Sequence, residues 1–408
     1  MWARDPHTEA KHDLLKIYLD AWFPIMASTW SSTGICYVDA FAGPGEYRDG
    51  SVGSPIIALD AACRSDVMQH PTKIRLVFIE KEHARLEHLE SMVAGRHPAK
   101  RCHVTTKLGA CEEVLLPELD KSKASREPVF ANFDGWGVDT PFDLIQRVGQ
   151  GYRPEVLVTF HSQWFTRFAG EEEVDAGDRV FGDREWRAVA DLASPIEKRR
   201  YLVDEYRRRL TSAGFSYHLT FELLDEGGHS LFLVFGTTQE RGVEKMKDAM
   251  WRVDSVSGSK FRDPRDPNQL TFDFSDSDPN LTLLIQQIRE LLDQGPKTLD
   301  ELKRFALLET VFKKAHAKTA VDRLEADGKV TCRRARAYRT VHCGESRRLT
   351  VLRALLMEID KRWSMAQRLN DELIATQRLN MTSLFSCFGV SGISGIAVVS
   401  SAITWRAS

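Results

Sequence analysis

The chain lacks most of the features that assign a function at sight. Its seven cysteines are odd in number, scattered over 408 residues and never spaced Cys-x-x-Cys. That excludes a disulfide framework and a zinc ribbon, and predicts reduced, mostly buried thiols. No Gly-x-x-x-x-Gly-Lys-Ser/Thr loop and no clustered metal-ligand carboxylates occur, so a nucleotide hydrolase or metal-dependent nuclease lacks its machinery and no metal is expected. Neither sign of charge dominates. A formal net charge of −2 argues against coating an anionic polymer with the whole surface and confines any nucleic-acid contact to a local basic face. Repeats are absent. Asp5, His7, Glu9, Lys11, His12 and Asp13 precede the first apolar run, which is unlike a signal peptide and predicts a cytoplasmic protein.

What is present is a series of short apolar runs. They lie at 35–41, 75–80, 102–106, 129–134 and 155–160, with helical segments between them, the pattern of right-handed βαβ crossovers and a parallel sheet. An amphipathic helix over 11–26, with Leu14, Leu15, Tyr18, Leu19 and Trp22 at helical spacing, should cover the sheet. Phe215–Leu224 and Ser230–Phe235 are β-rich runs joined by Asp-Glu-Gly-Gly-His, which is hairpin chemistry and predicts an antiparallel pair. The expected fold class is therefore α/β, a Rossmann-like class I methyltransferase fold of five parallel strands plus an antiparallel terminal hairpin, with a C-terminal winged-helix-like domain.

The expected organisation is a methyltransferase-like domain over 1–260 with a helical insertion at 164–210, then an Asp/Pro/Ser-rich linker over 261–279. Three helices and a basic hairpin at 280–345 predict the winged helix. A helical extension over 346–380 and an uncharged, Ser/Gly-containing apolar tail over 381–408 follow. The tail is expected to be loosely packed rather than a membrane anchor.

The segment Tyr-Val-Asp-Ala-Phe-Ala-Gly-Pro-Gly (37–45) carries the clearest chemistry. A strand that ends on Asp39 and breaks into a turn with Gly43 and Gly45 lets backbone approach a nucleotide-like cofactor. This variant points to S-adenosylmethionine rather than a dinucleotide. Phe41, Ala42, Gly43 and Gly45 would give backbone groups to the methionine moiety, and Asp39 would accept from its ammonium directly or through water. Glu80, ending the second strand, would take the ribose hydroxyls; its structural alternative is a helix-start acid favoured by the dipole. Gly109 and Ala110 occupy the adenine turn after the third strand, with Glu112 or a backbone group in place of the usual Asp. After the fourth strand, Asp134 and Trp136 stand where amino-directed methyltransferases place an acid and a stacking ring, although a strand-end Asp also serves as a helix cap. His161, Gln163 and Arg167 share that sheet edge. In the wing, Arg333, Arg334, Arg336 and Arg339 are candidate phosphate contacts.

Taken in order, these pieces resemble the three-Cys-motif partner protein (TcmP) family of bacteria. The resemblance rests on Lys11–Tyr18, the 37–45 turn, Gly-Ser-Pro-Ile-Ile-Ala-Leu (53–59), Phe-Ile-Glu (78–80), Leu-Phe-Leu-Val-Phe-Gly-Thr-Thr (231–238) and, most distinctively, Arg-Gly-Val-Glu-Lys-Met-Lys-Asp-Ala-Met-Trp-Arg-Val-Asp (241–254). It implies a methyltransferase-like domain and a three-cysteine-motif protein as partner. Where the family usually has Gly-Asp after strand three and Asp-Pro-aromatic-Gly after strand four, this chain has Gly109-Ala110 and Asp134-Gly135-Trp136-Gly137. Two functions are therefore expected: a methyltransferase acting on nucleic acid or a partner-bound substrate, or a non-catalytic adaptor of the same fold.

Overall fold

The computed structural model describes residues 6–30, 33–96, 99–121, 126–135, 138–224, 230–255, 260–262, 280–335 and 338–343, with the wing side chains 333–335, 338 and 339 left out. Trp136, Arg336, most of the expected linker, the helical extension and the tail lie outside the described residues. Among the described residues no helix is long and apolar enough to cross a membrane.

The chain opens with α1 (Pro6–Thr29), longer at both ends than the apolar spacing predicts, and enters β1 (Ile35–Asp39), α2 (Ser54–Ala62) and α3 (Ser65–Met68). Then come β2 (Ile74–Glu80), α4 (His83–Gly95), β3 (Cys102–Leu108), α5 (Cys111–Lys121), β4 (Val129–Phe133), α6 (Phe142–Gly149) and β5 (Glu155–Phe160). The insertion forms α7 (Ser162–Phe168), α8 (Ala176–Phe181), a 3-10 turn at Glu185–Asp191, and α9 (Pro195–Ser212), before β6 (Tyr217–Leu224), β7 (Ser230–Thr237), α10 (Glu240–Val253) and a short β8 (Lys260–Arg262).

Strand order is β3-β2-β1-β4-β5-β7-β6-β8. β1 pairs in parallel with β2 and β4, as do β2 with β3 and β4 with β5. β7 lies antiparallel between β5 and β6. This is the Rossmann-like fold of class I methyltransferases. The sequence reading did not foresee β8, which adds in parallel beyond β6. Every residue of β1, β4 and β5 is buried, as central parallel strands covered on both faces require. The first two runs also end earlier or begin sooner than read: β1 stops at Asp39, and residues 40–41 already belong to the turn.

The last described part is a winged helix: α11 (Thr282–Asp293), β9 (Lys297–Thr298), α12 (Leu299–Glu309), α13 (Lys314–Ala326), β10 (Val330–Ala335) and β11 (Tyr338–Cys343), with sheet order β10-β11-β9. Thr298 starts α12 with a capping box, its hydroxyl accepting from the Glu301 amide at 3.2 Å while Glu301 accepts from the Thr298 amide at 2.6 Å. Leu284, Ile288, Leu302, Phe312, Val321 and Leu324 pack with Trp251 of α10 in one apolar cluster. The described residues through Cys343 form a single compact unit.

Lys247 of α10 joins the winged helix to the large sheet. Its buried Nζ donates to the carbonyls of Ala306 (3.1 Å), Leu307 (2.5 Å), Thr310 (2.5 Å) and Phe312 (3.0 Å), which would otherwise be left open at the end of α12. Trp251 Nε1 donates to the Val311 carbonyl at 2.9 Å. Burial pushes the Lys247 pKa down to about 7, with Glu309 opposing. The four acceptors favour the ammonium, whose three N–H groups match them better than the two of an amine. Lys247→Met is therefore expected to destabilise by about 3 kcal/mol or more, because it orphans several buried carbonyls at once. Urea unfolding followed by circular dichroism measures this; a loss under about 1 kcal/mol would contradict the clasp.

Candidate functional site

A cavity of about 900 Å³ opens at the carboxyl ends of the strands around the β1/β4 crossover, where open α/β sheets bind ligands. The turn after β1 forms its floor. The Ala40 amide donates to the Asn132 carbonyl and the Ala42 amide to the Ile79 carbonyl, each at 2.9 Å, which ties the turn to the strands on both sides. Gly43 and Gly45 have φ of 64° and 80°, a region that costs an L side chain about 1–2 kcal/mol. A Cβ on Gly45 would also lie 2.9 Å from Leu89 Cδ1, and one on Gly53 would sit 3.3 Å from the Gly45 carbonyl carbon. The turn is therefore packed tightly against Leu89, Ile56 and the Gly53 backbone, and its residues 40–45 line the cavity.

Asp39 is fully buried beneath this turn and is not on the cavity wall, where Ser54 stands instead. Its Oδ2 accepts from the Tyr37 hydroxyl at 3.4 Å, while Oδ1 makes no hydrogen bond among the described residues. Burial pushes its pKa up to about 7; Ser54 pulls the other way, Asp134 adds to the rise, and the Phe41 amide opposes it. Glu80 ends β2 with its side chain on the wall, accepting from the Glu82 amide at 2.8 Å, with Arg85 at 3.9 Å. Gly109 (φ 146°) turns the chain after β3 and donates to the Glu80 carbonyl at 3.1 Å. Phe41, Ala42, Ala110 and Glu112 complete this side, and Glu112 meets Arg179 of α8 at 3.5 Å.

On the opposite side, Asp134 follows β4. Lys11 of α1 donates to Oδ1 at 2.8 Å and to Oδ2 at 2.9 Å, and Thr159 of β5 donates to Oδ1 at 2.5 Å. Burial alone would raise this carboxyl; Lys11 chiefly, then Thr159 and His12, outweigh it and hold the pKa below the usual range. His161, at the end of β5, has its pKa lowered by burial and then by Lys11, against the pull of Asp134, Gly135 and Asp139. A Cβ on Gly135 would stand 2.9 Å from Phe41 Cζ, so the loop after β4 closes directly on the Phe41 ring. A side chain at 135 and the Phe41 ring compete for one space, which gives a packing reason for glycine at this position.

Most of the sequence candidates thus meet at one cavity: Phe41, Ala42, Gly43, Gly45, Glu80, Gly109, Ala110, Asp134, His161 and Gln163 all line it. Asp39 sits behind it, and Trp136 is outside the described residues. Sequence reasoning missed Lys11, His12, Ser54 and Thr159. The only signal for the first two was the Lys11–Tyr18 segment, read as a helix that packs and not as a wall of the site. Outside the cavity lining, carboxylates of Asp183, Glu185 and Glu205 lie within 4.8 Å of one another, but Arg209 pairs with Asp183 at 2.8 Å and Arg208 pairs with Glu205. In the winged helix, the start of α13 is turned toward α10: Lys314 meets Glu244 at 3.1 Å and Lys313 meets Asp248 at 3.9 Å.

Residues 260–335 match the family model described as the GMT-like wHTH domain, which agrees with the winged helix seen here. No curated protein matches the chain. Similar solved structures include EvdMO1, 12% identical, with 55% of this chain and 42% of that chain covered at a TM-score of 0.31. They also include a SAM dependent methyltransferase from Aquifex aeolicus (12% identical, 53% and 89% covered, TM-score 0.25). A third is the cyclopropane synthase MmaA2 from Mycobacterium tuberculosis (10% identical, 57% and 68% covered, TM-score 0.27). The chain thus spans under half the length of EvdMO1. At such scores the fold assignment rests on strand order and direction, not on these likenesses.

Gly45→Ala is expected to cost about 2–3 kcal/mol, about 1–2 for the positive φ and the rest for displacing Leu89 and Ile56. Thermal unfolding checks this against Gly50→Ala, where the φ is also positive and nothing lies within 4 Å. Equal losses would show that the turn is not packed as described.

Proposed function

We propose that this chain is an S-adenosylmethionine-dependent methyltransferase of the three-Cys-motif partner kind. The observation that carries the reading is the convergence of the ends of β1, β2, β3 and β4 on one cavity, with a positive-φ glycine turn at its floor and the Glu80 carboxylate on its wall. The cradle fits the group. Gly43 and Gly45 line the cavity at positive φ without side chains, and the Glu80 carboxylate stands on the same wall, where it can accept from hydroxyls.

In this reading Glu80 accepts from the ribose hydroxyls, Gly109 and Ala110 border the adenine, and Gly43 and Gly45 give backbone to the methionine end. Asp39 acts through the buried polar floor rather than by direct contact. The bound cofactor supplies an electrophilic methyl group, and the protein's work is positioning and charge control. Asp134 belongs to the acceptor side, with His161, its pKa lowered, on the same cavity wall; Trp136 would be the stacking ring. The wing arginines, with the start of α13 engaged by α10, are where a nucleic-acid contact would fall; the three-cysteine-motif protein is the second proposed partner. A non-catalytic adaptor is the alternative, favoured by Ala110 and by the occupied Asp134.

Calorimetric titration with S-adenosylmethionine and S-adenosylhomocysteine tests the reading. Binding at micromolar to low millimolar concentration is expected, weakened by about ten- to a hundredfold in Glu80→Ala, the equivalent of losing one or two hydrogen bonds to a charged group. No binding to folded protein would leave only the adaptor. A pH series adds a second check. Asp39 gains charge as pH rises through about 7, so affinity for the cationic cofactor should rise between pH 6 and 8 and level off above. Asp39→Asn should flatten that dependence.

A further inference from the structure

The cation on Asp134 is supplied by the chain itself. We propose that Lys11 fills the acceptor subsite of the cavity as an internal stand-in, and that the natural acceptor is a primary amine whose ammonium group displaces it. The inference rests on the methyltransferase reading for its meaning, although the subsite is tested without cofactor.

Geometry comes first. Both carboxylate oxygens of Asp134 receive hydrogen bonds from one ammonium nitrogen, at 2.8 and 2.9 Å, at the end of β4 and inside the cavity that Glu80 and the glycine turn also line. The Lys11 side chain therefore places an ammonium at the acid that the sequence singles out for the acceptor.

Charge then selects the class of molecule. The Lys11 and Asp134 side chains are only 18% and 21% exposed, and an ionised carboxylate so withdrawn from water is costly once its partner leaves. A hydroxyl, thiol or carbon acceptor would displace Lys11 and leave that charge uncompensated. An ammonium replaces like with like; it becomes a nucleophile only after giving one N–H proton to a base, the role His161 on the same cavity wall would fill with its lowered pKa, and the amine lone pair then takes the methyl group as the donor's C–S bond breaks. Thr159 keeps Asp134 in place throughout, through its 2.5 Å hydrogen bond.

Lys11 is also the partner able to leave. It reaches Asp134 on a flexible four-carbon stem from the second turn of α1, and that stem can swing to solvent without moving the helix. His7, Thr8 and His12 of the same turns line the cavity as well. The deeper hold of α1 on the sheet, from Tyr18 to Glu155 at 2.7 Å, is seven residues away and does not depend on Lys11.

The experiment uses the full chain and n-butylammonium as the probe, with n-butanol as its neutral counterpart, measured by calorimetry. Lys11→Ala and Lys11→Gln should each bind n-butylammonium at least about tenfold more tightly than the unmodified protein. Adding Asp134→Asn to either should abolish the binding, and n-butanol should not bind. Equal affinity in variant and parent, binding that survives Asp134→Asn, or n-butanol binding as well as the ammonium would each overturn the proposal. Circular dichroism checks folding; loss of fold in both variants would make Lys11 a structural strut and overturn it too. Failure to bind S-adenosylhomocysteine, by contrast, would count against the methyltransferase reading and leave the ammonium result standing.

Discussion

The laying of α1 across the sheet is the constraint on which the rest depends. Glu155, at the start of β5, is fully buried and accepts from the Tyr18 hydroxyl at 2.7 Å and the Thr237 hydroxyl at 3.0 Å. Two turns nearer the N-terminus, Lys11 reaches Asp134, which Thr159 of β5 also holds. Seven helical residues advance about 10 Å, and the four residues from Glu155 to Thr159 advance about 13 Å along a strand. One helix spacing therefore meets one strand spacing at both ends. Burial pushes the Glu155 pKa up to about 7, against the pull of Tyr18 and Thr237. This anchor has a polarity: the proton that Glu155 gains on folding favours the folded state below the ordinary carboxylate range, and the gain is lost as pH rises through about 7.

A second set of contacts makes the winged helix part of the same body. The distinctive 241–254 segment is α10, and its residues divide their labour by face. Met246, Ala249 and Met250 pack into the core beneath the sheet, whereas Lys247 and Trp251 take the carbonyls at the end of α12 and just beyond it. Glu240 receives Arg304 at 2.8 Å, and Glu244 receives Lys314. A segment that must satisfy two domains at once is constrained on nearly every face, which accounts for its distinct character in the sequence.

Much of the fold was legible because its central strands are buried on both faces and so appear as uninterrupted apolar runs, and because glycines mark the turn where backbone must be bare. The position of Glu80 followed from the same logic. The unread parts depend on partners distant in sequence. Lys11 and Asp134 are 123 residues apart, and Lys247 and the carbonyl of Phe312 are 65 apart; a lysine on an amphipathic helix carries no local mark of such a role. Asp39 was correctly placed at a strand end but not at its depth, because periodicity does not distinguish a residue on a cavity wall from one behind it. Gly135 looked like a departure from the expected loop until the Phe41 ring was seen against it. β8 escaped because three residues leave too short a pattern.

The central claim is that the turn after β1, the end of β2 and the turn after β3 act together as one cofactor cradle. Amide hydrogen exchange with and without S-adenosylhomocysteine tests it most directly. The account predicts added protection in peptides covering 40–47, 80–85 and 109–113, with no change in α12 and α13. Unchanged exchange in all three turns at saturating ligand, or protection confined to the winged helix, would contradict it.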